Sequence, residues 1–174
     1  MKILVAYSSL TGNTKAVAEV ITSSLGTVAE LRDVNAVNDI DSFSCVIAGF
    51  WVDKGNAGDA MRNFLSRLHG KKVALFATMG ANPLPSYGEK CIAAAAQYLP
   101  KDAVLLKVSF ACLGKISPAL IEHFKQLTKE HPHAMTPQKE AYYKEISNHP
   151  DKADLMAAAD FAKKAAAEFK QYSL

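Results

Sequence analysis

A chain of 174 residues, almost half of them apolar, is long enough for one domain with a real core and too hydrophobic to stay disordered. Its net charge of +3 comes from scattered Lys and Arg, with no basic stripe and no interleaved aromatics, which argues against a nucleic-acid surface. No apolar run approaches the roughly 18 residues that span a bilayer, and one Lys before a strand-like start is not a signal peptide, so no membrane partner and a cytoplasmic location are expected. Cys45, Cys91 and Cys112 are widely spaced and odd in number, which reads as free thiols in a reducing compartment. Cys45, among Val46, Ile47 and Ala48, reads as a buried structural thiol.

The predicted elements alternate. Lys2–Tyr7 reads as a strand, and Asn13–Leu25 as a helix with Val17, Val20, Ile21 and Leu25 at helical spacing. Val28–Val34 is a charged strand suited to a sheet edge. Ser44–Gly49 is a short apolar strand, followed by a helix over Ala57–Leu68 with Met61, Phe64, Leu65 and Leu68 on one face. Val73–Thr78 is a further buried strand. A helix then runs from Tyr87 to Leu99, and Ser86 with Glu89 has capping-box spacing. Val104–Phe110 is the fifth strand. Ser117-Pro118 opens a helix, since Pro fits the first helical position, with Leu120, Ile121, Phe124 and Leu127 on its apolar face. Residues 131–150 are polar and Pro-rich, with a short helix after Thr136-Pro137. An Ala-rich helix over Lys152–Tyr172 turns Leu155, Ala159, Ala162, Ala166 and Phe169 inward.

Five short apolar strands alternating with helices predict a single doubly wound α/β domain, residues 1–174, with a parallel sheet covered on both faces. Ligands of such folds sit at the carboxyl ends of the strands. Ser8-Ser9-Leu10-Thr11-Gly12-Asn13-Thr14 occupies the first of these ends and is rich in hydroxyls, just where a helix begins. A helix start has unpartnered N–H groups and a dipole that favours an anion, so this loop is a phosphate-site candidate. The blander alternative is that Ser9, Thr11 and Thr14 only cap the helix. A P-loop would need a first Gly and a Lys-Ser/Thr pair, both missing here, and a dinucleotide fingerprint would need three glycines where only Gly12 stands.

A third pattern, Ser/Thr-x-Thr-Gly-x-Thr, is unbroken as Ser9-Leu10-Thr11-Gly12-Asn13-Thr14. In this motif the chain resembles the flavodoxin family, over residues 1–110 and again at the last helix. The resemblance implies a flavodoxin-like doubly wound five-stranded parallel sheet, order 2-1-3-4-5, with helices on both faces. It also implies one FMN, held without a covalent bond, its phosphate taken by the hydroxyls and backbone of Ser9–Thr14. The ring would lie between the segments after the third and fourth strands. The first is Gly49-Phe50-Trp51-Val52-Asp53-Lys54-Gly55-Asn56, with Trp51 as a stacking wall and Gly55 allowing a turn whose backbone meets the ring. The second begins Thr78-Met79-Gly80, with backbone contacts to the pyrimidine side. It ends in Ser86-Tyr87-Gly88-Glu89-Lys90-Cys91, a run that lays its Tyr on the ring in many relatives. Trp51 as a cover for the sheet end, and Tyr87 as helix-start packing, remain open alternatives.

Two features depart from the family pattern. Flavodoxins are strongly acidic, whereas this chain is net positive, and Lys54 beside the ring would make a flavin easier to reduce. An extra segment, about residues 114–150, precedes the last helix. Gly-Phe-Trp-Val-Asp-Lys-Gly, with Cys-x-Gly-Lys-Ile and His-Pro-x-Ala-Met-Thr-Pro downstream, is similar to a flavodoxin subgroup found beside bilirubin reductases. The resemblance implies a monomeric electron-transfer protein serving a redox partner protein. The alternative is an FMN-dependent NAD(P)H oxidoreductase reducing a quinone or other small molecule, which needs an open face over the ring that Trp51 and Tyr87 would block if both stacked. A flavin-free domain on the same fold is a third possibility, against which the intact loop counts. His131 and His133 form a weak metal pattern, and Cys112 lacks a visible base that would make it a nucleophile.

Overall fold

The computed structural model describes residues 2–84 and 86–172. Strands β1 (Ile3–Ser8), β2 (Ala29–Asp33), β3 (Cys45–Asp53), β5 (Lys72–Met79) and β6 (Val104–Leu113) form a parallel sheet in the order β2-β1-β3-β5-β6. The two-residue strand β4 (Asn56–Ala57) pairs antiparallel with the end of β3. Leaving β4 aside, the order is the 2-1-3-4-5 of the sequence expectation. The helices are α1 (Asn13–Leu25), α2 (Asp59–Leu65), α3 (Tyr87–Ala96), α4 (Pro118–Gln126), α5 (Pro137–Glu145) and α6 (Lys152–Gln171).

Alternation along the strands builds two cores. On β1, Ile3 and Val5 join Val17, Ile21, Phe76 and Phe169 under α1 and α6. Leu4 and Ala6 join Phe50, Met61, Phe64 and Ile92 under α2 and α3. The central strands are apolar at nearly every position because both of their faces are covered. Gly49 marks the tightest approach: a Cβ there would sit 1.9 Å from the Phe76 ring, so only glycine admits that ring.

Several boundaries differ from the sequence expectation. β3 continues through Phe50, Trp51, Val52 and Asp53, because the return strand β4 extends its pairing past the end of the main sheet. β6 extends through Ala111, Cys112 and Leu113, paired to Ala77, Thr78 and Met79. α2 and α3 end three residues earlier than periodicity suggested, as tighter turns close on Leu68 and Leu99. The Ser86/Glu89 capping box does not form, since the Ser86 side chain makes no cap bond. Caps do form at α4, where Ser117 Oγ accepts from Leu120 N at 3.2 Å, and at α5, where Thr136 Oγ1 accepts from Lys139 N at 3.2 Å.

The inward stripe of α6 is rotated. Ala158, Phe161, Ala162, Ala165 and Phe169 are buried, while Leu155, Ala159 and Ala166 lie half-buried at its margin. Phe161 sets this rotation: its ring stacks on Phe110 at 6.0 Å and meets Phe76 at 6.4 Å. Glu168, on the same helix, accepts from the backbone N–H groups of Lys107 and Val108, where β6 bulges away from β5.

Candidate cofactor site

The strand ends of β1, β3, β5 and β6 enclose a cleft at one edge of the sheet. Its floor is tied together by backbone and polar contacts. Gly114 N donates to Met79 O at 2.8 Å, and Asn13 Nδ2 donates to Lys115 O at 2.9 Å. A Cβ at Gly114 would meet Asn13 Nδ2 at 2.7 Å, so this glycine lets the loop after β6 close against the start of α1. Thr14 is fully buried, and its hydroxyl lies 2.8 Å from that of Thr78 on β5. The Thr14 side chain, expected to face the phosphate, instead joins α1 to β5 beneath the loop.

Gly12 is the N-cap of α1 in the left-handed region, φ 91°, and no side chain caps this helix. Ser9 Oγ accepts from Gly12 N at 3.1 Å and so shapes the loop. The capping alternative for the Ser9–Thr14 hydroxyls is thereby removed. Leu10, Thr11 and Asn13 line the cleft, with Leu10 and Thr11 exposed. Lys15 stands outside it, paired with Glu19 at 3.9 Å.

On β3, Phe50, expected among the cofactor-contacting residues, is wholly buried in the α2/α3 core, so its side chain does not reach the cleft. Trp51 and Val52 do line the cleft. The Trp51 indole passes 3.5 Å from where a Gly58 Cβ would stand, so it covers the sheet end and faces the cleft at once. Asp53 is exposed and pairs with Asn56 across the hairpin. Lys54 and Gly55 form the turn, with φ 48° and 81°. Positive φ at both central residues is what a two-residue hairpin turn of the primed type demands, and a lysine adopts it at a cost.

The cleft has two adjoining chambers. One, of about 430 Å³, holds Thr11, Asn13, Trp51 and Thr78. The other, of about 450 Å³, holds Lys54, Tyr87, Phe124, Tyr142 and Tyr143. Val52, Met79, Gly80, Ile116 and Leu120 border both. Trp51 lines the first chamber and Tyr87 the second. Gly80 receives Ile116, whose Cδ1 lies 2.1 Å from where a Cβ would be.

The extra segment supplies much of this wall. Lys115 N donates to His149 O at 2.9 Å, which closes the segment at its neck. Gly114, Lys115, Ile116, Ser117, Leu120 and His123 line the first chamber, and none of them was a sequence candidate. The available signal was the short Gly-Lys-Ile-Ser-Pro run directly after a strand end. Leu120, Ile121, Phe124 and Leu127 are exposed or half-buried, because α4 turns its apolar face to the cleft and not to a core.

Charge in the cleft is one-sided. Lys54, Lys115, Lys139, His123 and His133 line it, and no lining residue among those described is a carboxylate. Burial raises the pKa of Tyr142 and Tyr143, and burial followed by the Cys91 thiol raises that of Tyr87. All three stay protonated donors at neutral pH. Cys112 is buried, and burial, then Asp154 and Asp151, push its thiol far up, so it is not a nucleophile at neutral pH. The His133 ring stacks on Phe124 at 5.6 Å, and the His133 backbone N–H donates to His131 Nδ1.

A family model described as flavodoxin domain matches residues 4–163. The chain belongs to the flavodoxin family. That match runs through the 114–150 segment. The chain is 38% identical over 173 residues to the flavodoxin-like domain-containing protein BilS of Clostridioides difficile strain CD3, covering 94% of this chain and 95% of that protein. In structure it is similar to a flavodoxin from the domain Archaea, with TM-score 0.62, 18% identity, and 95% and 99% of the two chains covered. It is also similar to a flavoprotein in complex with FMN from Lactobacillus acidophilus, with TM-score 0.51, 17% identity, and 63% and 91% covered. These two structures share its fold. No helix among the described residues is long and apolar enough to cross a membrane.

Proposed function

We propose that this flavodoxin binds FMN in the first chamber and carries electrons to a redox partner protein. The observation behind the reading is the uncapped start of α1, where Gly12 stands as N-cap and Thr11 and Asn13 face the cleft. Unpartnered N–H groups and a helix dipole suit a phosphate dianion without any cationic side chain. The donor set fits the group: backbone N–H and the Thr11 hydroxyl for the phosphate, Trp51 for the ring, and the backbone at Met79 and Gly80 for the polar edge. When bound, the flavin supplies the one- and two-electron chemistry. The chain holds and orients it, with Ile116 and Leu120 excluding water from one side and Lys54 and Lys115 contributing positive charge that favours the reduced form. The positive cleft suits an acidic partner surface.

A phosphate test decides the reading. FMN should bind far more tightly than riboflavin, and Thr11→Ala should weaken FMN by about tenfold or more while leaving riboflavin unchanged. Equal affinity for the two flavins in a fluorescence titration would overturn it.

The rival on the same fold, an FMN-dependent NAD(P)H oxidoreductase, gains from one observation. Trp51 and Tyr87 lie in separate chambers, so together they do not close the space beside the ring. Stopped-flow mixing of the FMN-loaded protein with NADPH separates the two: slow reduction supports the carrier, and reduction within milliseconds the enzyme.

A further inference from the structure

Lys115 joins segment 115–149 to the Ser9–Thr14 loop, and both of its backbone groups are committed there. Its N–H donates to His149 O at 2.9 Å, and its carbonyl accepts from Asn13 Nδ2 at 2.9 Å. The same Asn13 nitrogen donates to Thr11 Oγ1 at 3.3 Å. An amide NH2 has two hydrogens, so both are spent inside the protein and none is left for an anion. Asn13 is thus a joint: one hydrogen shapes the loop, and the other holds the neck of the segment. Gly114 makes room for it, since a Cβ there would lie 2.7 Å from Asn13 Nδ2 and 3.0 Å from its Cγ.

Beyond this neck the segment is tied within itself. Met135 N donates to Phe124 O at 3.2 Å, and Lys139 Nζ donates to the carbonyls of Pro132 at 2.6 Å and Ala134 at 3.0 Å. The Phe124 ring meets those of His133 at 5.6 Å and Tyr143 at 6.2 Å, which joins α4 to α5. Every residue of the two helices is half-buried or exposed. A unit cross-tied internally, lightly packed and held at a narrow neck has the build of a hinged cover.

We infer that Asn13 is a positioning residue that couples recognition of the flavin phosphate to the closing of segment 116–148 over the cleft. The Thr11 hydroxyl accepts from Asn13, so its single proton is left to donate outward to a phosphate oxygen. A hydroxyl that donates to an anion is a better acceptor, which strengthens its bond from Asn13. The amide so fixed holds the Lys115 carbonyl, and with it the neck. Linkage makes the effect reciprocal: a phosphate that favours the closed neck is held more tightly by it, by the same factor. The cover then closes on FMN and stays loose over a flavin that lacks the phosphate. The role of the phosphate rests on the FMN reading above, whereas the joint between Asn13 and Lys115 does not.

Hydrogen exchange of the full chain, read by mass spectrometry over residues 116–148, tests the coupling. Inorganic phosphate is the probe, because it brings no ring to touch the segment, and chloride at equal ionic strength is the control. Phosphate should slow exchange across α4 and α5 about three- to tenfold, the worth of one hydrogen bond. Gly114→Ala drives a methyl against the Asn13 amide at a residue whose backbone is not left-handed, and Asn13→Ala removes the amide itself. Each should abolish the phosphate effect on exchange. Each should also weaken FMN about three- to tenfold and leave riboflavin unchanged, whereas a general loosening of the fold moves both flavins together. Circular dichroism of each variant checks that the fold is intact. Exchange that phosphate leaves unaltered in the parent chain would overturn the inference, as would equal losses of FMN and riboflavin in the variants. The two readings separate cleanly: FMN far tighter than riboflavin with unaltered exchange defeats only this inference. Equal affinity for the two flavins, with exchange still slowed by phosphate, defeats only the flavin reading.

Discussion

The sheet and the segment after it are built on different physics. Across β1, β3 and β5 most side chains are fully enclosed, and Gly49 and Phe76 interlock so closely that no Cβ fits between them. Across α4 and α5 every residue is half-buried or exposed, and among residues 115–149 only Ala134 and Ile146 are fully buried. Yet both regions line the same cleft. The sheet holds the Ser9–Thr14 loop and the hairpin in fixed places, while α4 and α5 bring Phe124, Tyr142 and Tyr143 to the cleft, anchored by caps and by the Lys115–His149 neck. Enclosed packing makes a site exact, and a lightly packed cover lets its occupant change.

This contrast is broken most directly in the cores. Phe76→Ala removes a fully buried ring from between Gly49 and Phe161 and should cost about 3–5 kcal/mol of stability by urea denaturation. Phe124→Ala removes a ring of the same size from α4 and should cost about 1 kcal/mol or less, with the denaturation slope unchanged. Comparable losses at the two positions would mean that the cover is an integral part of the core.

The next effect lies between the regions, at the floor of the cleft. Thr14→Val removes one member of a buried hydroxyl pair and leaves Thr78 unsatisfied, at a cost of about 1–3 kcal/mol. Replacing both by Val should recover part of that loss, since neither hydroxyl is then left alone. A thermal melt of the double variant below both single variants would show that the pair serves something other than mutual support.

How much of this was legible in the sequence follows the same division. The strands of the two cores were legible, apart from the ends of β3 and β6, because a short apolar run is a local signal, and the Ser9–Thr14 loop stood out because its hydroxyls lie close together. Phe50 misled, since a residue beside Trp51 reads as part of the same contacting segment until the pleat sends alternate residues to opposite faces. Thr14 misled for a similar reason: its partner Thr78 is remote in sequence, so burial of the hydroxyl left no local trace. The amphipathic face of α4 was visible, but periodicity does not tell a core from a cleft. In the stripe of α6, Ala162 and Phe169 were read correctly, while Ala159 and Ala166 lie one position past the buried Ala158 and Ala165, because alanines dominate the helix and leave its rotation to a few large side chains.

Lys54 gives a smaller and sharper test. Its φ of 48° belongs to the left-handed region, where a side chain costs energy. Lys54→Gly should stabilise the flavin-free chain by about 0.5–1 kcal/mol, with the hairpin intact. The same change should make the bound flavin harder to reduce, because a cation at the cleft is lost. A variant that gains stability and keeps its potential would show that the lysine is retained for some reason other than the charge it brings.

The smallest effect concerns acid, at the far end of the cover. Asp151 caps α6 by accepting from the backbone N–H groups of Ala153 at 2.8 Å and Asp154 at 3.0 Å. The backbone bond from Asp154 is the largest cause of a pKa below the usual carboxylate range, and His149 adds a smaller pull. A carboxylate whose folded pKa lies below its unfolded one stabilises the fold above the unfolded pKa, and that contribution fades as pH falls through the folded pKa. Asp151 is half-buried at the surface, so its share is small, but its sign is fixed. Asp151→Asn keeps an acceptor at the cap and removes the titration. Stability of the variant, followed by urea midpoint, should therefore fall less steeply than that of the parent below about pH 4. Parallel acid limbs would assign the cap's strength to geometry alone, with no contribution from the charge.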